Sequence, residues 1–218
     1  MKFGKKKIYK PNKSKKIRFI YDNIKKIKNP NIIEFGVRKG VSTEMFLYLC
    51  KKNKGKLLSV DIINCKKLFT DKNWIFLESR DDNFAYIKNY IRKKLDVIYI
   101  DSYHEPSHVK KILFYYYRFL KTNGIIFIDD ISWLPYAKGS YRDNEFNEII
   151  NRNTFNKIVE IYSNNVNNIN LEFSFNDSGT AKIKKLNNKK LLEPKKIHNR
   201  VYSFKNILKT LYRPKPAY

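Results

Sequence analysis

The sequence predicts an α/β domain built on one mostly parallel sheet, with helices on both faces and an antiparallel pair at one edge. Two observations carry this. Short apolar segments alternate with amphipathic ones from residue 31 onward, and several of the short segments are apolar on consecutive residues, as strands covered on both faces are. After residue 130 the alternation stops and two strand-like segments follow with no helix between them, the pattern of a hairpin. With 218 residues and 42% hydrophobic content, the chain can bury one sizeable core but is short for two ordinary domains. The expected division is a basic arm over 1–16, one Rossmann-like domain over 17–186 and a basic tail over 187–218.

In order along the chain, "IRFIYDNIKKIK" (17–28) sets Ile17, Ile20, Tyr21, Ile24 and Ile27 on one helical face, stopped by "NPN". "NIIEF" (31–35) reads as a strand, "STEMFLYLCKK" (42–52) as a helix, and "KLLSVDI" (56–62) and "WIFLE" (74–78) as strands. "NFAYIKNYIRKK" (83–94) reads as a helix, "LDVIYIDS" (95–102) as a strand, "PSHVKKILFYYYRFLK" (106–121) as a helix and "GIIFIDD" (124–130) as a strand. The loop "ISWLPYAKGSYRD" leads to a helix near "NEFNEIINR", then to strands expected at "NKIVEIYS" (156–163) and "GTAKIKKL" (179–186). The tail reads as solvated, with a short helix at "FKNILKTLY" as the alternative.

Composition narrows the function without naming it. No stretch reaches the roughly 18 apolar residues of a membrane span, and no signal-type apolar core follows the Lys-rich start, so the expected address is the cytoplasm. Cys50 and Cys65 lack metal-type spacing and suit a reducing compartment. The formal net charge of +26 admits two readings: a polyanionic partner such as RNA, or an A/T-rich coding sequence that favours Lys over Arg. Oligomeric state is not legible.

In such sheets ligands bind beyond the carboxyl ends of the strands. The strand ends here are Glu34 with Gly36, Asp61, Glu78 with Ser79, Asp101, and Asp129 with Asp130. A packing role does not account for the whole set, because carboxylates are rarely buried unless paired, hydrogen-bonded or metal-bound. "EFGVRKG" (34–40) spaces its glycines G-x-x-x-G, unlike the G-x-G-x-x-G of dinucleotide folds.

Taken with Asp61 at the end of the second strand, this order over residues 30–186 resembles the class I S-adenosylmethionine-dependent methyltransferases. The resemblance implies that Gly36 and Gly40 admit the methionine part of the cofactor, with Glu34 in the same turn and Ser42 taking its carboxylate. Asp61 would bind the ribose hydroxyls, while Glu78, Ser79 and Arg80 of "LESRDDNF" would edge the adenine.

"IDSYHEPSH" and "IDDISW" carry a second constellation. If the fourth and fifth strands are neighbours, Asp101, Asp129 and Asp130 converge, and hard oxygen ligands that repel one another suit Mg²⁺. The spacing resembles the metal-dependent O-methyltransferases of the catechol, caffeoyl-coenzyme A and macrolide-sugar types. That resemblance implies Asp101, Asp129 and Asp130 as metal ligands and His104 as the base, with a hydroxyl of a small molecule, a sugar or glycan precursor, as acceptor. A bound cation would lower the hydroxyl pKa and an imidazole could take its proton. The alternatives are that Asp101 only orients the cofactor and that His104 only caps the following helix. The acceptor would lie under the loop holding Trp133, Pro135, Tyr136, Tyr141 and Arg142, although Trp133 and Tyr136 would equally close the core. His108 is expected at the surface or behind the site. An RNA methyltransferase and an idle scaffold of the same fold are the rival readings.

Overall fold

The computed structural model describes residues 14–134, 145–198 and 203–211, and the sheet lies wholly within them. Seven strands run β1 (Asn31–Phe35), β2 (Lys56–Asp61), β3 (Trp74–Glu78), β4 (Leu95–Ile100), β5 (Leu120–Asp129), β6 (Ile169–Ser174) and β7 (Thr180–Lys185). Their spatial order is β3-β2-β1-β4-β5-β7-β6. The first five pair in parallel, and the β6–β7 hairpin adds antiparallel to β5.

Strand alternation sorts the apolar side chains onto two faces. On one face Ile32, Leu57, Val97, Tyr99 and Phe127 meet α1 (Lys15–Ile24) through Ile17, Ile20 and Ile24, and α2 (Val41–Asn53) through Met45, Phe46 and Leu49. On the other, Ile33, Phe35, Val60, Ile98, Ile100, Ile126 and Ile128 meet α4 (Pro106–Tyr117) and α5 (Glu145–Ser163). α3 (Phe84–Lys88) adds Ile87 to that second core. Among the described residues no helix is long and apolar enough to cross a membrane.

Two local expectations differ from the structure. "NKIVEIYS" is the last part of α5, and the hairpin's first strand is "INLEFS" (169–174). Ile158, Val159 and Ile161 give the segment strand-like composition, yet Asn151, Thr154, Ile158 and Ile161 are buried at intervals of three and four, which is a helical stripe. α3 ends at Lys88, well short of Lys94. The tail residues 188–190, 192, 193, 195, 196 and 198 are exposed, and the backbone is tied at two points: Leu192 exchanges hydrogen bonds with the Asn165 side chain (2.8 and 2.9 Å), and Asn164 Nδ2 donates to Glu193 O. A short helix, α6 (Phe204–Leu211), does form.

Lys16, expected in the arm, belongs to α1. Ser14 caps this helix, its hydroxyl accepting from Ile17 N at 3.3 Å.

Candidate cofactor cleft and acidic centre

The strand order reverses between β1 and β4, and a cleft of about 640 Å³ opens at their carboxyl ends. Gly36, Asp61, Ser79, Arg80 and Asp101 line it, together with Arg38, Val60, Ile62, Ile63, Asp81, Ser102, Tyr103 and His108. Gly36 has φ +92°, and a Cβ there would stand 2.0 Å from Asp101 O. Only glycine lets the turn after β1 pass the turn after β4.

Asp61 clamps the same turn. Its Oδ2 accepts from Val37 N (2.7 Å) and Arg38 N (2.9 Å), and its Oδ1 from Ile63 N (2.9 Å). The carboxylate keeps lone-pair capacity beyond these three bonds. Arg80 at the cleft edge is forked onto Asp82 (2.9 and 3.2 Å).

Other expected cofactor residues stand behind the cleft or beside it. Glu34 is fully buried and accepts from Ser42 Oγ (2.6 Å), Thr43 Oγ1 (2.8 Å) and Ser59 Oγ (2.7 Å). Burial pushes its carboxyl up to about 7, against the three hydroxyl bonds that favour the charged form. Ser42 is thus engaged with Glu34, and the pair ties α2 to β1. Gly40, with φ +76°, packs against the Phe69 ring rather than lining the cleft. Glu78 is exposed and accepts from Asn64 Nδ2 at 2.7 Å.

The far end of the cleft holds residues that the sequence reading did not assign to it. His108 Nε2 lies 2.9 and 3.0 Å from the two oxygens of Asp81, and Ser102 Oγ also donates to Asp81. The cue was present: Pro106 opens α4 and Glu105 caps it, accepting from His108 N at 2.9 Å, which puts His108 in the first helical turn at the strand ends.

Asp101 connects this cleft to an acidic centre. His104 Nε2 lies 3.2 Å from Asp130 Oδ2 and 3.7 Å from Asp101 Oδ1, and one ligand atom from each of the three residues falls within 4.8 Å of the others. Asp130 has φ +55°, which turns the chain sharply after Asp129. Thr154 Oγ1 of α5 holds the loop by donating to His104 O at 2.8 Å. Burial, together with the Asp129 charge, holds the Asp101 carboxyl well above the usual carboxylate range.

Asp129, expected beside Asp101 and Asp130 as a ligand, is engaged otherwise. It is fully buried, forms an ion pair with Lys16 and accepts from Tyr99 OH (3.1 Å) and Thr180 Oγ1 (3.3 Å). Two carboxylates and an imidazole nitrogen are a donor set that fits a divalent cation, with nitrogen where an all-oxygen Mg²⁺ shell would have none. Trp133 packs against Phe155 of α5 (6.0 Å between rings). Tyr136 and Arg142 lie outside the described residues.

Residues 33–131 match a family described as a methyltransferase domain. No curated protein matches the sequence. Among solved structures, MycE, the methyltransferase from the mycinamycin biosynthetic pathway in complex with Mg and SAH, is 16% identical with TM-score 0.59, over 79% of this chain and 50% of that one. A Staphylococcus aureus protein provisionally named a caffeoyl-CoA O-methyltransferase is 18% identical with TM-score 0.57, over 78% and 80%. An rRNA methylase from Streptococcus thermophilus is 12% identical with TM-score 0.53, over 83% and 99%. The chain spans about half the length of MycE. It has the fold of the class I S-adenosylmethionine-dependent methyltransferases.

Proposed function

We propose that this chain moves the methyl group of S-adenosylmethionine to a hydroxyl oxygen of a small molecule, a sugar or sugar-containing glycan precursor, in the cytoplasm. One observation carries the reading: Asp101 belongs at once to the cleft at the β1/β4 switch point and to the centre that holds His104 and Asp130. A cofactor site and a proton-accepting site therefore share a wall. The two cysteines are free and buried, which suits a reducing compartment.

Gly36 leaves the cleft open beside the β4 turn, Asp61 offers its remaining lone pairs to the ribose hydroxyls, and Asp81 with His108 bounds the far end. His104 accepts the hydroxyl proton as the oxygen bonds to the methyl carbon and the sulfur keeps the electron pair of the broken C–S bond. Asp130, 3.2 Å from the ring, offsets the positive charge that the imidazole gains. Asp101 and Asp130 would hold a divalent cation, Mg²⁺ in the simplest case, which acidifies a bound hydroxyl. Most of the remaining work is alignment of oxygen, carbon and sulfur.

A second reading, with RNA as acceptor, rests on the net charge of +26. Titration calorimetry with S-adenosylhomocysteine is the first test, expected to show binding that Gly36→Val abolishes. Methyl transfer from labelled cofactor is then followed on sugars, phenols and RNA. His104→Ala should lower turnover about 100-fold or more while leaving S-adenosylhomocysteine binding intact. Transfer to RNA alone, with affinity falling steeply with salt, would replace the small-molecule acceptor.

A further inference from the structure

The N-terminal helix reaches the acidic centre through a single residue. Lys16 Nζ pairs with Asp129 and donates to Ser178 Oγ at 3.1 Å, and the Lys16 side chain is four-fifths buried, 19% exposed, against 1% for Asp129. The start of α1 is fastened to the same place by its capping hydroxyl and one backbone amide. Asp177 Oδ2, in the turn between β6 and β7, accepts from Ser14 Oγ (2.9 Å) and Lys16 N (3.0 Å). Gly179, with φ +80°, closes that turn onto Ser132 just past β5. Helix, hairpin turn and strand end thus meet around one ammonium.

Asp129 is left with little to offer a metal. Besides Lys16 it accepts from Tyr99 OH, Thr180 Oγ1 and, at 3.4 Å, Ser178 Oγ. Tyr99 OH also lies 3.0 Å from Asp101 Oδ2, so a single phenol separates the neutralised carboxylate from the one that lines the cleft. Asp130, the next residue, turns instead toward His104.

We propose that Lys16 is the resident cation of Asp129, that it withdraws this carboxylate from metal ligation, and that a divalent ion and the Lys16 ammonium compete for it. The proposal rests on the divalent-ion part of the function read above, and on nothing about the acceptor. A protein with the lysine seated holds an ion through Asp101 and Asp130. A protein without it has a third carboxylate to contribute and one positive charge fewer nearby.

Mn²⁺ binding to the full chain, followed by the electron paramagnetic resonance of the free ion, tests this without turnover. Lys16→Met should bind Mn²⁺ about ten-fold more tightly or better, since a unit charge is removed close to the ion. Lys16→Arg should stay within about three-fold of the wild type, as the competing charge remains. Asp129→Asn should weaken binding to the wild-type chain by no more than about the factor that Lys16→Met gains, since it removes a nearby charge but no ligand, and in the Lys16→Met background it should remove the gain. Asp130→Asn should lose binding.

Equal weakening by Asp129→Asn and Asp130→Asn in the wild-type chain would overturn the proposal, as would an unchanged affinity in a folded Lys16→Met. If Lys16→Met does not fold, the Asp129→Asn comparison decides. Absence of Mn²⁺ binding in every variant also overturns it, and leaves the S-adenosylhomocysteine titration to judge the methyltransferase reading independently.

Discussion

Glu34 is the residue through which pH should act on the stability of this fold. It sits at the end of β1 with no solvent exposure, under hydroxyls of α2 and β2 and without a cationic partner among its hydrogen bonds. Burial raises its carboxyl from an ordinary 4.5 to about 7, with Ser42, Ser59 and Thr43 opposing and Asp61 adding slightly. Because the folded value lies above the unfolded one, its stabilising contribution is fully present below about pH 4.5 and is lost as pH rises through about 7. A change from 4.5 to about 7 corresponds to about 3 kcal/mol between those limits.

Glu34→Gln removes the titration but keeps the shape. The amide cannot accept from Thr43 and Ser59 on the side where it carries NH₂, and this costs about 1 kcal/mol at every pH. Urea unfolding from pH 4.5 to 8 should therefore show the variant slightly less stable than wild type in acid and about 2 kcal/mol more stable at pH 8. A difference between the two proteins that stays constant across this range, or changes with the opposite sign, would refute the assignment of a buried, proton-binding Glu34.

Three further outcomes follow from the geometry. Gly36→Ala places a Cβ 2.0 Å from Asp101 O at φ +92°, so it should lower stability by about 2 kcal/mol or more in urea unfolding and abolish S-adenosylhomocysteine binding in calorimetry. Asp61→Asn leaves one oxygen for backbone N–H groups that now share two, and should cost about 1–2 kcal/mol together with a ten-fold or larger loss of S-adenosylhomocysteine affinity. Cys50 is fully buried with its thiol pushed up to about 12, and Cys65 is nearly as buried. Both should resist a disulfide reagent at pH 8 in the folded protein and react on unfolding, as absorbance of the released thiolate reports.

The parallel part of the sheet was legible because its strands carry apolar residues on both faces, and the order of acids along the chain placed the cleft. The second part of α5 was not, because Ile158, Val159 and Ile161 suit a strand as well as a helix, and only the longer stripe from Asn151 separates the two. Within the site, Gly36, Asp61, Ser79, Arg80 and Asp101 stand at or just past strand ends, the places the resemblance pointed to, and they line the cleft. Glu34, expected in the same turn, is buried under hydroxyls behind it, and Asp129, expected as a metal ligand, is buried against Lys16 and Tyr99. A sequence shows that a carboxylate ends a strand, but its neighbours decide whether it meets a ligand, and those neighbours are Ser59 on β2 and Lys16 on α1, distant in sequence. The Asp81–His108 pair is likewise a contact across 27 residues, which no local pattern encodes.

The acids at the strand ends thus divide by what stands beside them. Where a hydroxyl cluster or an ammonium is supplied from within, as at Glu34 and Asp129, the carboxylate fastens a helix to the sheet: α2 in the first case, α1 in the second. Where the backbone supplies only amides, as at Asp61, it shapes the cleft turn and keeps capacity for another donor. At Asp101 and Asp130 the described partners are a phenol and an imidazole, which leave two carboxylates side by side with less than full compensation. That pair is where an external cation or a proton is demanded, so the chemistry of this fold should depend on Asp101, His104 and Asp130 far more than on the equally acidic Asp129.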